Sequence, residues 1–289
     1  PAGKVDCPRV NAAGKEGGFG MRGLRFALPC ALLLVGICGR GRETQSGFPA
    51  LSVDAQGVLR DECGRETNLF GVNYYACFAY WSSALDRAGK DPFETMRMDV
   101  AHFRRLGLDC LRIHCFDRQI SDAEGHLVDP GGHLAKLDYL IALCASNGIV
   151  TVLTPMAHWG AGGDYKGGFC DRYCKDGYES LVGDERLWGV QATFLKEFVR
   201  HRNPHRGGMT YAEDPAIPCF ELVNEPHYPE GTPDEKVTRY IDALADAMRS
   251  SGVAKPLFYN PWRGHARAAA AARIDGVTAA SYPLGICRG

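Results

Sequence analysis

The chain has 289 residues, and its 33 basic side chains nearly balance 34 acidic ones, which gives a formal net charge of −1. A chain of this length can bury one large core, of the size found in single-domain α/β barrels. The balanced charge argues against a nucleic-acid or membrane-surface partner and favours a neutral one.

The amino-terminal residues are predicted to lie outside the folded domain. Residues 1–20 are polar and Gly-rich, lack a starting Met and precede Met21, so we interpret them as a non-native upstream extension. The apolar run at 26–38 has the length of a signal-peptide core and is too short to span a bilayer. We predict an export signal and linker over 21–47, hence a secreted or periplasmic protein with no stable membrane span after signal removal. A lipoprotein anchor at Cys38 and a buried segment of the fold are the alternatives.

Export permits disulfides, and the chain has 12 cysteines. Four fall within apolar strand or helix patterns and are predicted to be core thiols, namely Cys110, Cys115, Cys144 and Cys219. Cys170 and Cys174 lie in a polar stretch, where pairing with each other is one option. Their spacing lacks the second Cys/His pair of a zinc finger, so no metal site is predicted.

Strand and helix patterns alternate along the rest of the chain. In order, they predict a hairpin (51–60 with 66–70), a strand ending at 73, a helix from 91 to about 107, a strand (110–116), a helix (134–146), a strand (149–154), a long Gly-rich loop (160–183) followed by a helix, a strand (217–226), a helix from 232 to 252, a strand (255–260), a helix (266–273) and a strand (277–282). This alternation is typical of βαβ units around a parallel sheet.

An aromatic-rich stretch follows the first strand of this series. It contains Tyr74, Tyr75, Phe78, Tyr80 and Trp81. Aromatic faces stack well on the apolar faces of sugar rings, so we predict that one or two of these rings contact a ligand and that the others lie in the core.

The second strand carries Arg112 and His114, which share one face because side chains alternate along a strand. An arginine in an otherwise apolar strand is costly unless it is paired. We therefore predict that Arg112 meets a buried carboxylate.

Polar side chains also follow the carboxyl ends of three predicted strands. They are Asn73, His158 beside Trp159, and Asn224-Glu225 before Pro226. In parallel α/β folds, chemistry takes place at this end of the strands, because the strands are rigid and the loops beyond them vary. Glu225 is the carboxylate that this argument singles out, and a simple loop start is the alternative.

These patterns predict a (β/α)8 TIM barrel of which about six β/α units are present, with residues 48–289 forming an incomplete barrel domain. A doubly wound open sheet would also accommodate six strands. No Gly-rich phosphate fingerprint follows the first strand, so the barrel is favoured and no cofactor is expected.

The segment Phe-Glu-Leu-Val-Asn-Glu-Pro at 220–226, with Gly-Val-Asn at 71–73, Leu-Arg-Ile-His at 111–114 and His158-Trp159, resembles glycoside hydrolase family 5. More broadly, it is similar to the cellulase- and mannanase-type barrels of clan A. The resemblance runs from about 48 to 283.

The resemblance implies retaining hydrolysis of β-glycosidic bonds in a glucan- or mannan-type polysaccharide or oligosaccharide. Glu225 would be the general acid and base, and Asn224 would hydrogen-bond the 2-hydroxyl of the sugar. Arg112 would orient the nucleophile. The expected substrate-binding residues are Arg112, His114, His158, Trp159, Tyr282, Asn73, Tyr74 and Trp81. A retaining enzyme needs one protonated and one ionised carboxyl group about 5 Å apart.

Two departures from the family pattern stand out. In the family, the nucleophile is a Glu at the end of the seventh barrel strand. Only six barrel strands are predicted here, and no residue matches that Glu. Glu221 does not occupy the expected place, because it lies inside the fourth predicted barrel strand (217–226). Ala280 stands where relatives often carry His. We therefore expect the chain expressed alone to show little or no glycosidase activity and to be poorly soluble, with open edges at strands one and six. A non-catalytic carbohydrate-binding remnant and an unrelated α/β protein with a chance Asn-Glu-Pro are the alternatives.

Overall fold

The computed structural model describes residues 47–158, 167–174, 177–261 and 264–279. The predicted upstream extension, nearly all of the predicted export signal and linker, and Cys38 lie outside these ranges. So do Trp159, Ala280 and Tyr282.

Short strands alternate with helices along the described chain. The strands are β1 (Ser52–Val53), β2 (Leu59–Arg60), β3 (Gly71–Asn73), β4 (Cys110–His114), β5 (Val150–Thr154), β6 (Met156–Ala157), β7 (Phe220–Asn224), β8 (Leu257–Asn260) and β9 (Gly276–Val277). The helices are α1 (Ala79–Arg87), α2 (Pro92–Arg105), α3 (Asp117–Ile120), α4 (His133–Ser146), α5 (Gly168–Tyr173), α6 (Glu179–Gly183), α7 (Arg186–Arg200), α8 (Asp234–Arg249) and α9 (Ala266–Ala271), with a 3-10 turn at Pro204–Arg206.

Six strands form a parallel sheet in the order β3-β4-β5-β7-β8-β9, and β6 pairs beside β7. Each strand neighbours the next one along the chain, with helices in the connections. This is the arrangement of a partial TIM barrel, which confirms the predicted fold class and the count of about six β/α units.

Buried apolar faces explain why these segments fold as they do. All of β7 is buried, as expected for a parallel strand covered on both faces. Helix α8 presents a stripe to the sheet that includes Val237, Ile241, Leu244 and Met248, each fully buried. The four cysteines predicted to be core thiols are buried and free.

Gly71 opens β3 because the neighbouring strand approaches closely. A Cβ atom there would lie 2.0 Å from the carbonyl oxygen of Cys110 on β4, so any larger residue would push the two strands apart.

The β1–β2 hairpin lies at the amino-terminal ends of the strands. Leu59 and Leu69 from this region line a cavity of about 410 Å³ together with Cys110 and Phe258, and Glu221 also borders it. We call this space the lumen cavity.

Some local predictions differ from the structure. Tyr80 and Trp81 belong to helix α1, and the long Gly-rich loop contains helices α5 and α6. Cys170 is buried in α5 and does not lie in an exposed loop; both it and Cys174 are free thiols. Over the described ranges, no helix has the length and apolar character needed to cross a bilayer.

Candidate functional site

Glu225 occupies the turn at the carboxyl end of β7. Its φ of +46° lies in the left-handed region, which residues other than Gly rarely adopt. Its backbone N–H donates to both oxygens of Asn260 at the end of β8, the main-chain oxygen at 3.1 Å and Oδ1 at 3.2 Å. A backbone conformation of this kind persists only where surrounding contacts fix it, and such residues cluster at functional sites.

Arg112 on β4 joins three strands at this end of the sheet. It donates to Asn73 Oδ1 at 3.0 Å and to Asn224 Oδ1 at 2.9 Å, and it forms an ion pair with Glu221. The prediction that Arg112 meets a buried carboxylate is therefore confirmed. The structure also brings Arg112 together with Asn73 and Asn224, two residues that the sequence predicts at strand ends.

Glu221 is fully buried on β7, and both of its carboxylate oxygens are engaged. Oε1 accepts from Arg112 and from Thr154 Oγ1 at 3.2 Å, and Oε2 accepts from Thr278 Oγ1. The carboxylate thus links β4, β5 and the residue that follows β9. This arrangement suits a structural partner of Arg112 better than a group that attacks a substrate.

His114 is held neutral beside Arg112. Burial, and then the positive charge of Arg112, lower the pKa of His114 to about 3. Arginine can only donate, so the contact from Arg112 Nη1 makes Nε2 of His114 the acceptor and puts the ring proton on Nδ1. Tyr75 stacks on the imidazole at 6.2 Å between ring centroids, and the half-exposed Trp81 lies edge-to-face with Tyr75 at 6.5 Å.

His158 follows β6 and is also buried and neutral. Burial, and then the charges of His227 and Arg118, lower the pKa of His158 to about 3. Its Nδ1 accepts from the backbone N–H of His227 at 3.3 Å, so the ring proton lies on Nε2. Within the described ranges, Nε2 has no hydrogen-bond partner although it is buried. Such a donor calls for an explanation, and a bound hydroxyl group would supply one.

Tyr74 lies on the helix side of the sheet. Its hydroxyl donates to Asp99 on α2 at 2.8 Å, and its ring meets Phe103 edge-to-face at 5.2 Å. Among the predicted ligand-binding aromatics, the structure therefore places Trp81 against Tyr75, the ring that stacks on His114, and directs Tyr74 toward α2.

Sequence reasoning missed two polar residues of this site, Asn260 and Thr278. Asn260 is buried, accepts from Glu225 and donates from Nδ2 to the Thr278 carbonyl oxygen at 3.0 Å. Asn260 ends a predicted strand, so the strand-end argument that singled out Glu225 could also have found it. No cluster of three or more His, Cys, Asp or Glu side chains suited to a metal ion occurs in the described part of the chain.

No family model matches the chain, and no curated protein sequence matches it. Solved structures do resemble it. The endo-1,4-β-mannanase from Rhizomucor miehei is 18% identical with a TM-score of 0.64, over 84% of this chain and 73% of that one. A glycoside hydrolase family 5 mannosidase from Rhizomucor miehei is 16% identical with a TM-score of 0.57, over 83% of this chain and 63% of its own length. An endogalactoceramidase is 19% identical with a TM-score of 0.55, over 74% and 53%.

The chain spans less than two thirds of the mannosidase and of the endogalactoceramidase. At sequence identities of 16–19%, the likeness to these structures shows a shared fold and nothing finer. The chain has the barrel fold of glycoside hydrolase family 5 enzymes.

Proposed function

We propose that this protein belongs to glycoside hydrolase family 5 and is an exported, retaining β-glycosidase that acts on glucan- or mannan-type chains. The observation that carries the proposal is the position of Glu225, held in a left-handed turn at the end of β7 directly after Asn224, whose Oδ1 accepts from Arg112. The likeness to mannanase and mannosidase structures supports the proposal.

In this proposal Glu225 protonates the oxygen of the leaving group and later deprotonates the water that completes hydrolysis. Asn224 hydrogen-bonds the sugar's 2-hydroxyl, and Nε2–H of His158 donates to another hydroxyl group. Trp81 provides an aromatic face for a sugar ring. Trp159 and Tyr282 are proposed to line the same cleft. The nucleophile would be a second carboxylate about 5 Å from Glu225.

The competing candidate is a non-catalytic carbohydrate-binding remnant of such a barrel. One observation favours it. Within the described ranges, the carboxylate that meets Arg112 is Glu221, which is buried and saturated by Thr154 and Thr278. The arginine that would orient a nucleophile is thus engaged by a different acid.

The test is a substrate panel of β-mannans, β-glucans and aryl β-glycosides, assayed with the full-length protein and with Glu225→Gln. Loss of the general acid and base should lower kcat/KM by roughly 10²- to 10⁴-fold on a polysaccharide. Glu94→Gln, which changes an exposed acid on α2, is the matched control and should keep wild-type activity.

Equal hydrolysis by wild type and Glu225→Gln would refute the proposed role of Glu225 and would favour an unrelated protein with a chance Asn-Glu-Pro. Oligosaccharide binding without hydrolysis by the full-length protein would favour the remnant.

A further inference from the structure

Helix α1 begins at a residue whose backbone conformation is unfavourable for its type. Ala79 has a φ of +53°, in the left-handed region, and its side chain is fully buried. This region is sterically unfavourable for alanine, so contacts from elsewhere in the fold must hold the residue there. Glu225 is another described residue other than Gly with a positive φ.

A side-chain amide holds Ala79 in the way that Asn260 holds Glu225. Oε1 of Gln119, on α3, accepts from the Ala79 backbone N–H at 2.7 Å. Gln119 lies just beyond the carboxyl end of β4, as Asn260 lies at the carboxyl end of β8. An acceptor from another β/α unit thus fixes each of these two left-handed turns.

His133, the first residue of α4, fixes the orientation of the Gln119 amide. Its Nδ1 lies 2.7 Å from the Cys77 carbonyl oxygen, which can only accept, so Nδ1 carries the ring proton. Burial lowers the pKa of His133, so the ring is neutral and Nε2 is an acceptor. The Gln119 amide nitrogen therefore donates to His133 Nε2 at 3.3 Å, which leaves Oε1 for Ala79.

Two further contacts connect α4 to the same segment. The Phe78 ring stacks on His133 at 5.9 Å between centroids. Lys136 Nζ donates to Oγ of the buried Ser82 at 3.0 Å. Contacts to α3 and α4 along the segment 77–82 fix its conformation before a ligand arrives, which lowers the entropy lost on binding.

The outward side chains of this segment are aromatic. Tyr80 and Trp81 are about half exposed. Both contact Tyr75, Tyr80 through its hydroxyl group and Trp81 edge-to-face, and Tyr75 stacks on His114. The orientation of the exposed Trp81 ring relative to the candidate site therefore depends on the backbone at Ala79.

We propose that Gln119 and His133 are positioning residues that hold Trp81 in the orientation in which it stacks on a sugar ring. The inference rests on the proposed function for the role of Trp81 and adds the residues that set the geometry of that role. Gln119 and His133 act through the backbone at Ala79.

The first test is a calorimetric double-mutant cycle in full-length Glu225→Gln, titrated with β-1,4-mannohexaose and, separately, with cellohexaose. Gln119→Ala should weaken the dissociation constant about fivefold, because Trp81 is no longer held in place for the sugar. Trp81→Ala should weaken it at least as much, and adding Gln119→Ala to Trp81→Ala should have little further effect. Additive losses would show that Gln119 does not act through Trp81 and would overturn the inference.

The matched control is Asn203→Ala in the connection from α7 to β7. Asn203 is likewise a buried amide, which accepts from the His205 N–H at 2.9 Å and donates to the Asp138 carbonyl oxygen at 2.9 Å. Its loss should lower stability without changing hexasaccharide affinity. If Asn203→Ala weakened hexasaccharide binding as much as Gln119→Ala, general destabilisation would explain both results and the inference would fail.

A rescue variant tests the role given to the backbone. Glycine adopts a positive φ without steric cost, so Ala79→Gly added to Gln119→Ala should recover part of the lost affinity. No recovery would contradict an action through the conformation at Ala79.

The last measurement needs no sugar. Hydrogen exchange followed by mass spectrometry should show faster exchange at the start of α1 in Gln119→Ala than in wild type. Equal exchange, or hexasaccharide affinity that Gln119→Ala leaves unchanged, would refute the inference alone. Absence of hexasaccharide binding by Glu225→Gln itself would refute the proposed role of Trp81 and the inference with it.

Discussion

His114 and His158 are two neutral histidines with opposite tautomers. Arg112 donates to Nε2 of His114, and the His227 backbone donates to Nδ1 of His158. One ring therefore carries its proton on Nδ1 and the other on Nε2. Each ring can donate to a ligand only through the nitrogen that the fold leaves protonated.

The two buried histidines, His114 and His158, predict that the folded protein loses stability in acid. Burial lowers the pKa of both histidines from 6.5 to about 3 in the folded protein, so the unfolded chain binds protons that the folded one does not. The free energy of unfolding should hold above pH 6.5 and fall as the pH drops toward 3, by up to about 1.4 kcal/mol per pH unit for each histidine. Urea unfolding between neutral and acidic pH measures this slope.

Two variants test whether the buried histidines cause this slope. His158→Gln should flatten the acid slope, since one of the two histidines no longer titrates. At exposed His126, hydrogen bonding to Glu197 raises the pKa of the imidazole, so its small contribution is lost as the pH rises. His126→Gln should leave the acid slope in place. A slope equal in wild type and His158→Gln would show that this histidine does not contribute.

Asn260 fixes the conformation of Glu225, and its loss has a predictable effect. Asn260→Ala removes the Oδ1 acceptor of the Glu225 N–H and the Nδ2 donor of the Thr278 carbonyl, which lowers the free energy of unfolding by about 1–3 kcal/mol. Asn260→Asp keeps the acceptor but turns a buried carboxylate oxygen toward the Thr278 carbonyl oxygen, so it should lose at least as much as Asn260→Ala. Urea unfolding of the two variants measures these losses, and an unchanged free energy of unfolding in Asn260→Ala would contradict the role assigned to Oδ1.

Strands β4, β5 and β7 are connected by one ion pair and its hydrogen-bond partners. Glu221→Gln or Arg112→Met leaves a charge without its partner in a largely buried setting, so each should lower the free energy of unfolding by about 3 kcal/mol. The double variant Arg112→Met with Glu221→Leu should lose less than the sum, because no unpaired charge remains.

The matched control is the ion pair between Arg97 and Glu94 on helix α2, whose side chains are about half exposed. Arg97→Met should lower the free energy of unfolding by less than about 1 kcal/mol. Comparable losses for Arg97→Met and Arg112→Met in urea unfolding would mean that burial does not strengthen the Arg112 pair.

The longer elements could be predicted because their patterns are local. Asp91 and Pro92 start α2, and the Asp91 carboxylate accepts from the Phe93 N–H at 2.9 Å, as the sequence indicates. The short helices α5 and α6 escaped prediction, since five or six residues are too few to show helical periodicity. At α8, Pro233 occupies the cap without a side-chain hydrogen bond, so the helix begins where backbone stiffness and packing place it.

The candidate site could likewise be predicted only in part. A charged arginine in an apolar strand needs a carboxylate partner, but the partner of Arg112 lies 109 positions away along the chain. Only the order of the strands in the sheet decides which acid that is. The strand-end rule located Glu225 and Asn224 because it depends on each strand separately. The left-handed backbone of Glu225 depends on Asn260 from another strand, and no local pattern records it.

At the scale of the molecule, β3 and β9 are the outer strands of the sheet among the residues that the structure describes. Val72 on β3 is 39% exposed and Val277 on β9 is 42% exposed. Exposed apolar strand edges template pairing with other chains. We expect the isolated chain to self-associate, and Val72→Lys with Val277→Lys to reduce that association, as measured by light scattering after size-exclusion chromatography.

The control is Met98→Lys on helix α2, where Met98 is 55% exposed but belongs to no strand edge. It should leave the association unchanged. If Met98→Lys reduced association as much as the edge variants, general surface hydrophobicity would be responsible, and the strand edges would not.

The lumen cavity has a further consequence for the Arg112–Glu221 pair. The cavity borders both residues, and the Arg112 side chain is 23% exposed although Glu221 is buried. Water that reaches Arg112 raises the local dielectric constant and weakens the attraction between the two charges. A segment that covered the cavity would exclude this water and strengthen the pair. The electrostatics of the candidate site are thus coupled to how completely the sheet is enclosed.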